Sequence, residues 1–361
     1  MKKPKVSVLM SVYNGEMYLS EAMDSILEQT YKNWEFIVID DCSTDRTAEI
    51  LAEYVKRDSR VRIYRNEQNQ RLAGSLNRAL TFAQGEYIVR MDADDISRRD
   101  RIEKQLEFME RHPEISLSGS RVMSLTGNRV IPTNLQSRGD ADGVAARFLF
   151  FNPVAHAAMI VRKKDLASFG YREQFFCTED FDLWIRMLCS GKKMAVQDDY
   201  LFMYRQHENQ TTVTTTKDQR EQSRSIIQRY YREKLYPLDP AQMDFWTDGI
   251  YYRNHPDIQK LKEFLIQIRR TNADRKSFSE SALECAAFDL FMAYRTALSW
   301  DKRQMIQELR MFSPRFLARE FVRRKKAARK ALRESEAARV KFGLMPDNGQ
   351  SVSGVPCYLK K

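Results

Sequence analysis

The sequence lacks several features that define whole classes of protein. No apolar run among its 361 residues approaches the ~20 residues that a membrane-spanning helix needs. Residues 1–6 carry three lysines and lead directly into a strand pattern, so we expect no signal peptide. The first predicted strand is not followed by a G-x-G-x-x-G pattern, which argues against a dinucleotide-dependent dehydrogenase.

Cysteine is also scarce. The five cysteines are odd in number and show no metal-ligand spacing, which is typical of reduced thiols in a cytosolic protein. They are Cys42, Cys177, Cys189, Cys285 and Cys357. The hydrophobic content of 43% and the aromatic content of 11% are those of a globular protein. A chain of this length can bury a large core and has room for two domains.

Strand and helix patterns alternate over the first hundred residues. The strand patterns lie at residues 5–12, 34–39, 61–64 and 87–91, and the helical patterns between them lie at 16–29, 47–55 and 72–83. This alternation predicts an α/β fold with a mostly parallel central sheet flanked by helices. In such a sheet ligands bind at the edge where the carboxyl ends of the strands lie.

Acidic clusters follow two of these strands. Asp40 and Asp41 end one strand, and Asp92, Asp94 and Asp95 end another. Such a concentration of negative charge beside apolar strands is costly unless a cation shares it, and divalent metals prefer oxygen ligands. The alternative is a solvated acidic turn that caps the next helix. Because both clusters should face the same sheet edge, we favour a metal site.

A third acidic element and a histidine lie further along the chain. Glu179 and Asp180 begin a helical pattern, for which Thr178 is the predicted N-cap. His207 follows the last strand patterns, at 194–196 and 201–204. His156 lies in another strand pattern, at 156–161, and is interpreted as a core group.

The sequence pattern changes near residue 211. A threonine-rich linker ends a predicted catalytic domain of residues 1–212, and no strand alternation is evident beyond it. Residues 213–343 are predicted to form an all-helical region, and 344–361 a loose tail. Residues 136–143 within the first domain are predicted to be a loop.

The ordered set of acidic elements resembles a known family. Together with the opening segment 8–15, the Asp40-Asp41-Cys42-Ser43 turn, the Asp92-Ala93-Asp94-Asp95 cluster and the Glu179-Asp180 pair resemble the inverting nucleotide-sugar glycosyltransferases of family 2, which have the Rossmann-like GT-A fold. The resemblance covers roughly residues 5–210. It implies transfer of a sugar from a UDP-sugar to a hydroxyl of a glycan or a lipid-linked saccharide, in the synthesis of a cell-surface polysaccharide.

The resemblance also implies roles for individual residues. Asp94 and Asp95 would hold Mg²⁺ or Mn²⁺, and Asp180 would be the general base. The residues implied for binding the nucleotide sugar are Val12, Tyr13, Asp41, Asp92 and Arg71. His207 could ligate the metal or be a surface histidine, and Arg71, where similar sequences often have glycine, could contact phosphate or be solvated.

Two other functions are compatible with parts of this pattern. A nucleotidyltransferase that makes the activated sugar usually has a Gly-rich loop with cations after its first strand, whereas here the loop is Tyr13-Asn14-Gly15-Glu16. A non-catalytic nucleotide-sugar or membrane-binding module would be expected to lack the acids, and all three clusters are present.

The net charge of +11 is concentrated near the C-terminus, where residues 315–341 contain eleven Lys/Arg and three Glu. The pattern predicts a basic amphipathic helix over 314–341, with Leu317, Phe321, Ala328 and Leu332 on its apolar side. Such a helix suits an anionic membrane surface, which would place a cytoplasmic enzyme on the inner face of the plasma membrane. A helix packed on its own domain is the alternative. No base-stacking motif accompanies the charge, so we expect no nucleic-acid partner.

Overall fold

The computed structural model describes residues 3–133, 139–207, 216–254, 256–298 and 301–342. Within these residues, a mixed sheet of nine strands forms the centre of the fold. The strands are Val6–Val12 (β1), Trp34–Asp40 (β2), Val61–Arg65 (β3), Tyr87–Asp92 (β4), Ile96–Ser97 (β5), Ile115–Thr126 (β6), Arg129–Pro132 (β7), Ile160–Arg162 (β8) and Lys193–Gln206 (β9).

The sheet has a parallel part and an antiparallel part. Its order is β3-β2-β1-β4-β8-β6-β9-β5, with β7 paired to β6. Strands β3, β2, β1 and β4 are parallel to their neighbours, whereas β8 is antiparallel to both β4 and β6. Strands β6 and β9 are again parallel to each other, and β5 is antiparallel to β9. Because β1, β2 and β4 are parallel, their carboxyl ends lie at one edge, as the strand spacing predicts.

Helices cover both faces of the sheet. Those of the first two hundred residues are Leu19–Leu27 (α1), Thr47–Arg57 (α2), Arg71–Phe82 (α3), Arg101–Arg111 (α4), Ala141–Arg147 (α5), Lys163–Phe169 (α6) and Glu179–Cys189 (α7). One face of β1 packs Val8 and Met10 with residues of α1, α2 and α4. Leu9 points to the other face, where α3 and α7 pack.

The C-terminal region is helical. Its helices are Thr216–Lys234 (α8), Pro240–Asp244 (α9), Ile258–Arg275 (α10), Glu280–Leu298 (α11), Lys302–Glu308 (α12) and Pro314–Lys341 (α13), with a π-helix at Phe245–Tyr251 between α9 and α10. Residues of α8, α10 and α11 belong to the same buried cluster as Leu9 and Ile88 of the sheet. Tyr231 of α8 donates a hydrogen bond to the Leu149 carbonyl at 3.0 Å, so the junction is polar as well as apolar.

Helix α13 spans the predicted range and packs on the sheet through the side that carries Ala331 and Ala338. Ala331, Ala338 and Phe342 are buried with residues of β5, β6, β7 and β9. Lys330 donates a hydrogen bond to the Asp198 carbonyl at 2.8 Å. Of the residues predicted on the apolar side, Phe321 and Leu332 are exposed, and Leu317 and Ala328 are partly buried.

Several local predictions were also wrong. His156 lies in a 3-10 helix, His156–Ala158, and not in a strand. The two strand patterns at 194–196 and 201–204 form one strand, β9, with irregular pairing to β6 in its middle. Within the predicted loop 136–143, Asp140 caps helix α5 by accepting a hydrogen bond from the Gly143 amide. The rest of that loop up to residue 138, the linker at 208–215 and the tail at 344–361 lie outside the described residues.

No helix in the described part of the chain combines the length and the apolar character needed to cross a lipid bilayer.

Candidate active site

Asp41 lies just beyond the end of β2 and is held rigidly by its neighbours. Its amide donates to the Val12 carbonyl at 2.8 Å, which joins the ends of β1 and β2. Its Oδ1 accepts hydrogen bonds from Asn66 Nδ2 at 2.6 Å and from the Gln70 amide at 2.8 Å. Asp41 is therefore fixed between the sheet edge and the start of α3, which is the position expected of a residue that contacts a ligand at this edge.

The neighbouring residues at this edge differ in exposure. Val12 is buried at the end of β1, whereas Tyr13 is 53% exposed. Asp40, the other acid of this turn, accepts from the Ser43 amide at 2.9 Å and pairs with Arg65 at 2.9 Å. Asp40 thus stabilises the turn itself, and the exposed Tyr13 ring remains accessible beside it.

The carboxylates of Asp92, Asp94 and Asp95 form one cluster at the end of β4, with candidate ligand atoms within 4.8 Å of one another. Asp95 is buried, and its Oδ2 has no hydrogen-bond partner. Burial raises the pKa of Asp95 well above its usual value, and the charges of Asp94 and Asp92 raise it further. A bound cation would relieve the mutual repulsion of these carboxylates and would give Asp95 Oδ2 a partner.

The end of β9 lies beside this cluster. His207 Nε2 is 2.9 Å from Asp94 Oδ2. The Arg205 amide donates to Asp95 Oδ1 at 2.9 Å, and its guanidinium donates to the Asp94 carbonyl at 2.9 Å. Hydrogen bonds therefore join the acidic loop to the end of β9, although more than a hundred residues separate the two segments in the chain.

Glu179 and Asp180 begin α7. Asp180 accepts hydrogen bonds from Asn152 Nδ2 at 2.9 Å and from the Phe181 amide at 2.6 Å. Burial raises the pKa of Asp180 even though both hydrogen bonds favour the charged form. Thr178 occupies the N-cap position of this helix, as predicted, but its side chain makes no capping hydrogen bond. Its hydroxyl instead donates to Gln222 of α8 at 2.8 Å.

Glu179 is more deeply buried than Asp180. Burial raises its pKa to about 8, and the charges of Asp180 and Asp92 add to the rise. Its Oε2 has no hydrogen-bond partner, and its Oε1 lies 3.9 Å from His156 Nδ1. His156 Nε2 is 2.8 Å from the Tyr171 hydroxyl, and burial lowers the pKa of His156 well below its usual value. Glu179, His156 and Tyr171 thus form one chain of buried polar groups beside the start of α7.

Arg90 links the two acidic regions electrostatically. It is buried within β4 and forms an ion pair with Asp92. Its positive charge also lowers the pKa of Glu179 and of Asp180, against the larger effect of burial. Sequence reasoning assigned Arg90 no role, although a charged residue inside an otherwise apolar strand was a visible signal. The Arg90 amide donates to the Met159 carbonyl at 3.3 Å, and His156 Nδ1 lies 3.9 Å from Glu179 Oε1, so the segment 156–159 joins β4 to the start of α7.

Arg71 follows Gln70, whose amide bonds Asp41, and its side chain contacts the segment before α7. Its guanidinium lies over the Phe176 ring, 4.7 Å from the centroid. Its φ of 58° is in the left-handed region, where glycine is the least strained residue. This explains why a glycine would suit the position and why an arginine here needs a compensating contact.

The residues at the end of β4 fit a divalent cation. Three carboxylates within reach of one another, one unpartnered buried oxygen and a neighbouring imidazole are the donor set expected for Mg²⁺ or Mn²⁺.

Comparison with known proteins identifies the family. Residues 7–172 match the model of glycosyl transferase family 2. EpsE of Bacillus subtilis is 38% identical over 197 residues, which are 52% of this chain and 68% of EpsE. The chain belongs to glycosyl transferase family 2. This family 2 protein is therefore a glycosyltransferase, as the order of its acidic elements predicts.

Other relatives of this family 2 protein extend the match. An uncharacterized glycosyltransferase of Methanocaldococcus jannaschii is 32% identical over 254 residues, which are 70% of this chain and 87% of the relative. WfgD of Escherichia coli, a UDP-Glc:α-D-GlcNAc-diphosphoundecaprenol β-1,3-glucosyltransferase, is 29% identical over 202 residues, which are 54% of this chain and 74% of WfgD.

Solved structures support the fold. TarS of S. aureus in complex with UDP-GlcNAc matches with a TM-score of 0.56 and 19% identity, over 82% of this chain and 90% of that one. The mannosyltransferase of Pyrobaculum calidifontis in complex with GDP-Man and Mn²⁺ matches with a TM-score of 0.50 and 17% identity, over 86% of each chain. At these identities the likeness shows the shared GT-A-like architecture of this family 2 protein.

Proposed function

We propose that this family 2 protein is a metal-dependent, inverting glycosyltransferase that moves a sugar from a UDP-sugar to a hydroxyl of a glycan or lipid-linked saccharide. The observation that carries the proposal is the meeting of two kinds of acid at one sheet edge. Asp92, Asp94 and Asp95 could hold a cation, and the segment 156–159 contacts both Arg90, the ion-pair partner of Asp92, and Glu179, the neighbour of Asp180. Such a site can hold a diphosphate on one side and accept a proton on the other.

Asp94 and Asp95 would hold Mg²⁺ or Mn²⁺, with His207 as a further ligand or as a hydrogen-bond partner of Asp94. When bound, the cation would supply positive charge where the leaving diphosphate becomes more negative. Asp92 would face the nucleotide sugar, held in place by Arg90. Arg205 keeps the acidic loop in position by bonding Asp94 and Asp95 through both its backbone and its side chain.

Asp180 would take the proton of the acceptor hydroxyl as that oxygen attacks the anomeric carbon. Its raised pKa makes it a better base than an ordinary aspartate, and Asn152 orients its Oδ2. The new carbon–oxygen bond forms as the bond to the diphosphate breaks, so a single displacement inverts the anomeric configuration. An α-linked donor would give a β-linked product.

The donor base would lie beside Asp41, Val12 and Tyr13, at the start of a catalytic unit that we place at residues 1–212. The fixed Asp41 carboxylate suits the imide N–H of uracil, and the exposed Tyr13 ring offers a surface for the base. Arg71 follows Gln70, whose amide bonds Asp41, and its guanidinium lies over the Phe176 ring, so Arg71 would face the same donor site. WfgD, whose name includes UDP-Glc, and TarS with bound UDP-GlcNAc support a UDP-sugar.

The acceptor would be a growing cell-surface polysaccharide. The name of WfgD describes transfer to a sugar carried by diphosphoundecaprenol, whereas the name of EpsE specifies no acceptor. An acceptor of this kind would place the enzyme in the cytoplasm at the inner face of the plasma membrane. The excess of basic residues over acidic ones is consistent with attraction to that surface.

The donor assignment is tested by incubating the protein with Mn²⁺ and a panel of UDP- and GDP-sugars while recording the thermal shift and donor hydrolysis. We expect stabilisation by UDP-sugars that requires Mn²⁺ and that Asp94→Asn removes. A matched control is Asp301→Asn, which changes an exposed acid that caps α12 far along the chain. Failure of every UDP-sugar to bind would refute the assignment.

A further inference from the structure

We infer that the outward face of helix α13 is a docking surface for a bilayer that contains anionic phospholipid. This outward face is defined by the exposed residues Arg315, Arg319, Phe321, Val322, Lys325, Lys326, Arg329, Leu332 and Arg333. The inference specifies which surface would serve the membrane location proposed above, and it does not depend on the donor or the mechanism.

The opposite side of α13 is already used for packing. Phe316 and Glu320 are buried near the start of the helix, and Ala331 and Ala338 are buried near its end. At 100° per residue these positions lie on one side of the helix, and the outward face lies on the other. Because the inner side is anchored, the outward face is presented to solvent in one fixed orientation.

The charges on the outward face have one sign. None of its six Lys and Arg residues forms an ion pair with a described side chain. The described acids of this helix are directed elsewhere, because Glu320 bonds Arg323 and Arg324 and Glu334 bonds Lys341. The described acidic residues of α13 therefore do not neutralise the six Lys and Arg residues of the outward face.

Apolar side chains are interleaved with these cations. Phe321 is 46% exposed, Val322 57% and Leu332 39%. Of the eight large hydrophobic residues exposed in the described part of the chain, these three lie on this one helix. Exposed apolar groups of this size, set among cations, are expected where a protein enters the interfacial region of a membrane.

A bilayer satisfies both features at once. Anionic headgroups attract the clustered Lys and Arg, while the acyl boundary accepts the aromatic and aliphatic side chains. A nucleic acid would neutralise the cations but would leave Phe321, Val322 and Leu332 in water. The interleaving of the two kinds of residue therefore favours lipid over nucleic acid.

The packing of α13 would also fix the position of the active site relative to the membrane. Its inner side is buried against Ile96 of β5 and Met203 of β9. Ile96 directly follows Asp95, and β9 leads to His207 at the metal cluster. The docking surface and the acidic loop are thus attached to the same pair of strands, so a docked enzyme would hold its cleft at a constant height above the lipid.

The test uses the full-length protein and co-sedimentation with vesicles of phosphatidylcholine alone or mixed three to one with phosphatidylglycerol. We expect binding to the mixed vesicles only, and its loss at high salt. The variant Lys325→Ala, Lys326→Ala, Arg329→Ala should bind the mixed vesicles about a hundredfold more weakly, since each cation near the surface contributes about a factor of five. The separate variant Val322→Ser should weaken binding to the mixed vesicles several-fold and leave the salt dependence of binding unchanged.

Matched controls separate docking from general charge and from folding. Lys260→Ala, Arg270→Ala, Arg275→Ala removes the same charge from exposed positions of α10 and should bind vesicles as the wild type does. Ile266→Ser removes an exposed apolar residue from that helix and serves as the control for Val322→Ser. Hydrolysis of the UDP-sugar donor in solution should be equal in all four variants, so that loss of docking is distinguished from loss of the proposed activity.

Equal vesicle binding by the wild type and the α13 triple variant would overturn the inference. So would equal weakening by the α10 control, or tight binding to a duplex oligonucleotide in place of mixed vesicles. If the wild type bound the mixed vesicles but hydrolysed no UDP-sugar, that result would contradict the proposed function and would still support the docking surface.

Discussion

His207 Nε2 lies 2.9 Å from Asp94 Oδ2, although 113 positions separate the two residues in the chain. The contact exists because β9 pairs with β5, the short strand that directly follows the acidic loop. A histidine after the last strand and an aspartate after the fourth are thereby brought to one side of the cluster.

Replacement of the proposed ligands should weaken binding of Mn²⁺. Asp94→Asn removes a carboxylate charge from the cluster and should reduce the affinity at least a hundredfold, and His207→Ala should reduce it about tenfold to a hundredfold. Affinity can be measured by titration calorimetry in the presence of UDP. His112→Ala is the matched control, because His112 is a partly exposed histidine beside Glu114, and it should bind Mn²⁺ normally. Unchanged affinity in Asp94→Asn would contradict the assignment.

Asp180→Asn should abolish transfer and leave UDP binding nearly unchanged. The amide cannot accept the acceptor proton, so kcat should fall by about a hundredfold to ten-thousandfold. Transfer to a saccharide acceptor and UDP affinity are measured on the same preparation. Asp182→Asn is the control: it disrupts the ion pair with Arg186 at 2.7 Å and should lower stability while the folded enzyme keeps its turnover. Normal turnover by Asp180→Asn would place the base elsewhere.

Glu179→Gln should stabilise the protein at alkaline pH and have little effect at acid pH. Burial raises the folded-state pKa of Glu179 to about 8 from a usual value of 4.5. Between these values the folded protein holds a proton that the unfolded chain has released, so the native glutamate costs stability as pH rises through this window. Thermal unfolding from pH 5 to pH 9 should show a growing advantage for the glutamine variant. A constant difference between the two proteins would contradict the raised pKa.

Arg71→Gly should be more stable than Arg71→Ala, by about 1 kcal/mol. Both variants lose the stacking on Phe176, but only glycine relieves the positive φ of 58°. Denaturant unfolding of the two variants and the wild type measures the difference. Phe176→Leu, which removes only the ring, serves as the control for the lost stacking. Equal stability of the glycine and alanine variants would show that the backbone at this position is unstrained in solution.

Much of the fold was predictable from local pattern. The predicted strands at 5–12, 34–39, 61–64 and 87–91 agree with β1 to β4 within one residue or two at each end, because buried parallel strands are continuous apolar runs. Family membership was also confirmed. The antiparallel part was harder to predict. Strand β8 is only three residues long, and β9 has irregular pairing in its middle, so its sequence reads as two separate strands.

The candidate site was predictable only in its acids. Asp41, Asp92, Asp94, Asp95 and Asp180 were identified because each follows a strand or begins a helix. Their roles remain predictions. The groups that hold these acids in place were missed, and they are Arg90, Asn66, Asn152 and Arg205. Arg90 was marked by its place inside an apolar strand, but nothing in the spacing of Asn66, Asn152 and Arg205 distinguishes them from solvated side chains.

The sequence by itself determined the alternation of strands and helices, the order of the acidic elements and the basic character of the last helix, because each of these is a property of neighbouring residues. Only the tertiary structure decided that His207 meets Asp94, that Arg90 lies between two acidic regions, and that α13 turns Phe321, Val322 and Leu332 to solvent. These outcomes depend on strand pairing and on which helix face packs closely against the sheet. Both arise from contacts between distant segments, which local periodicity does not encode.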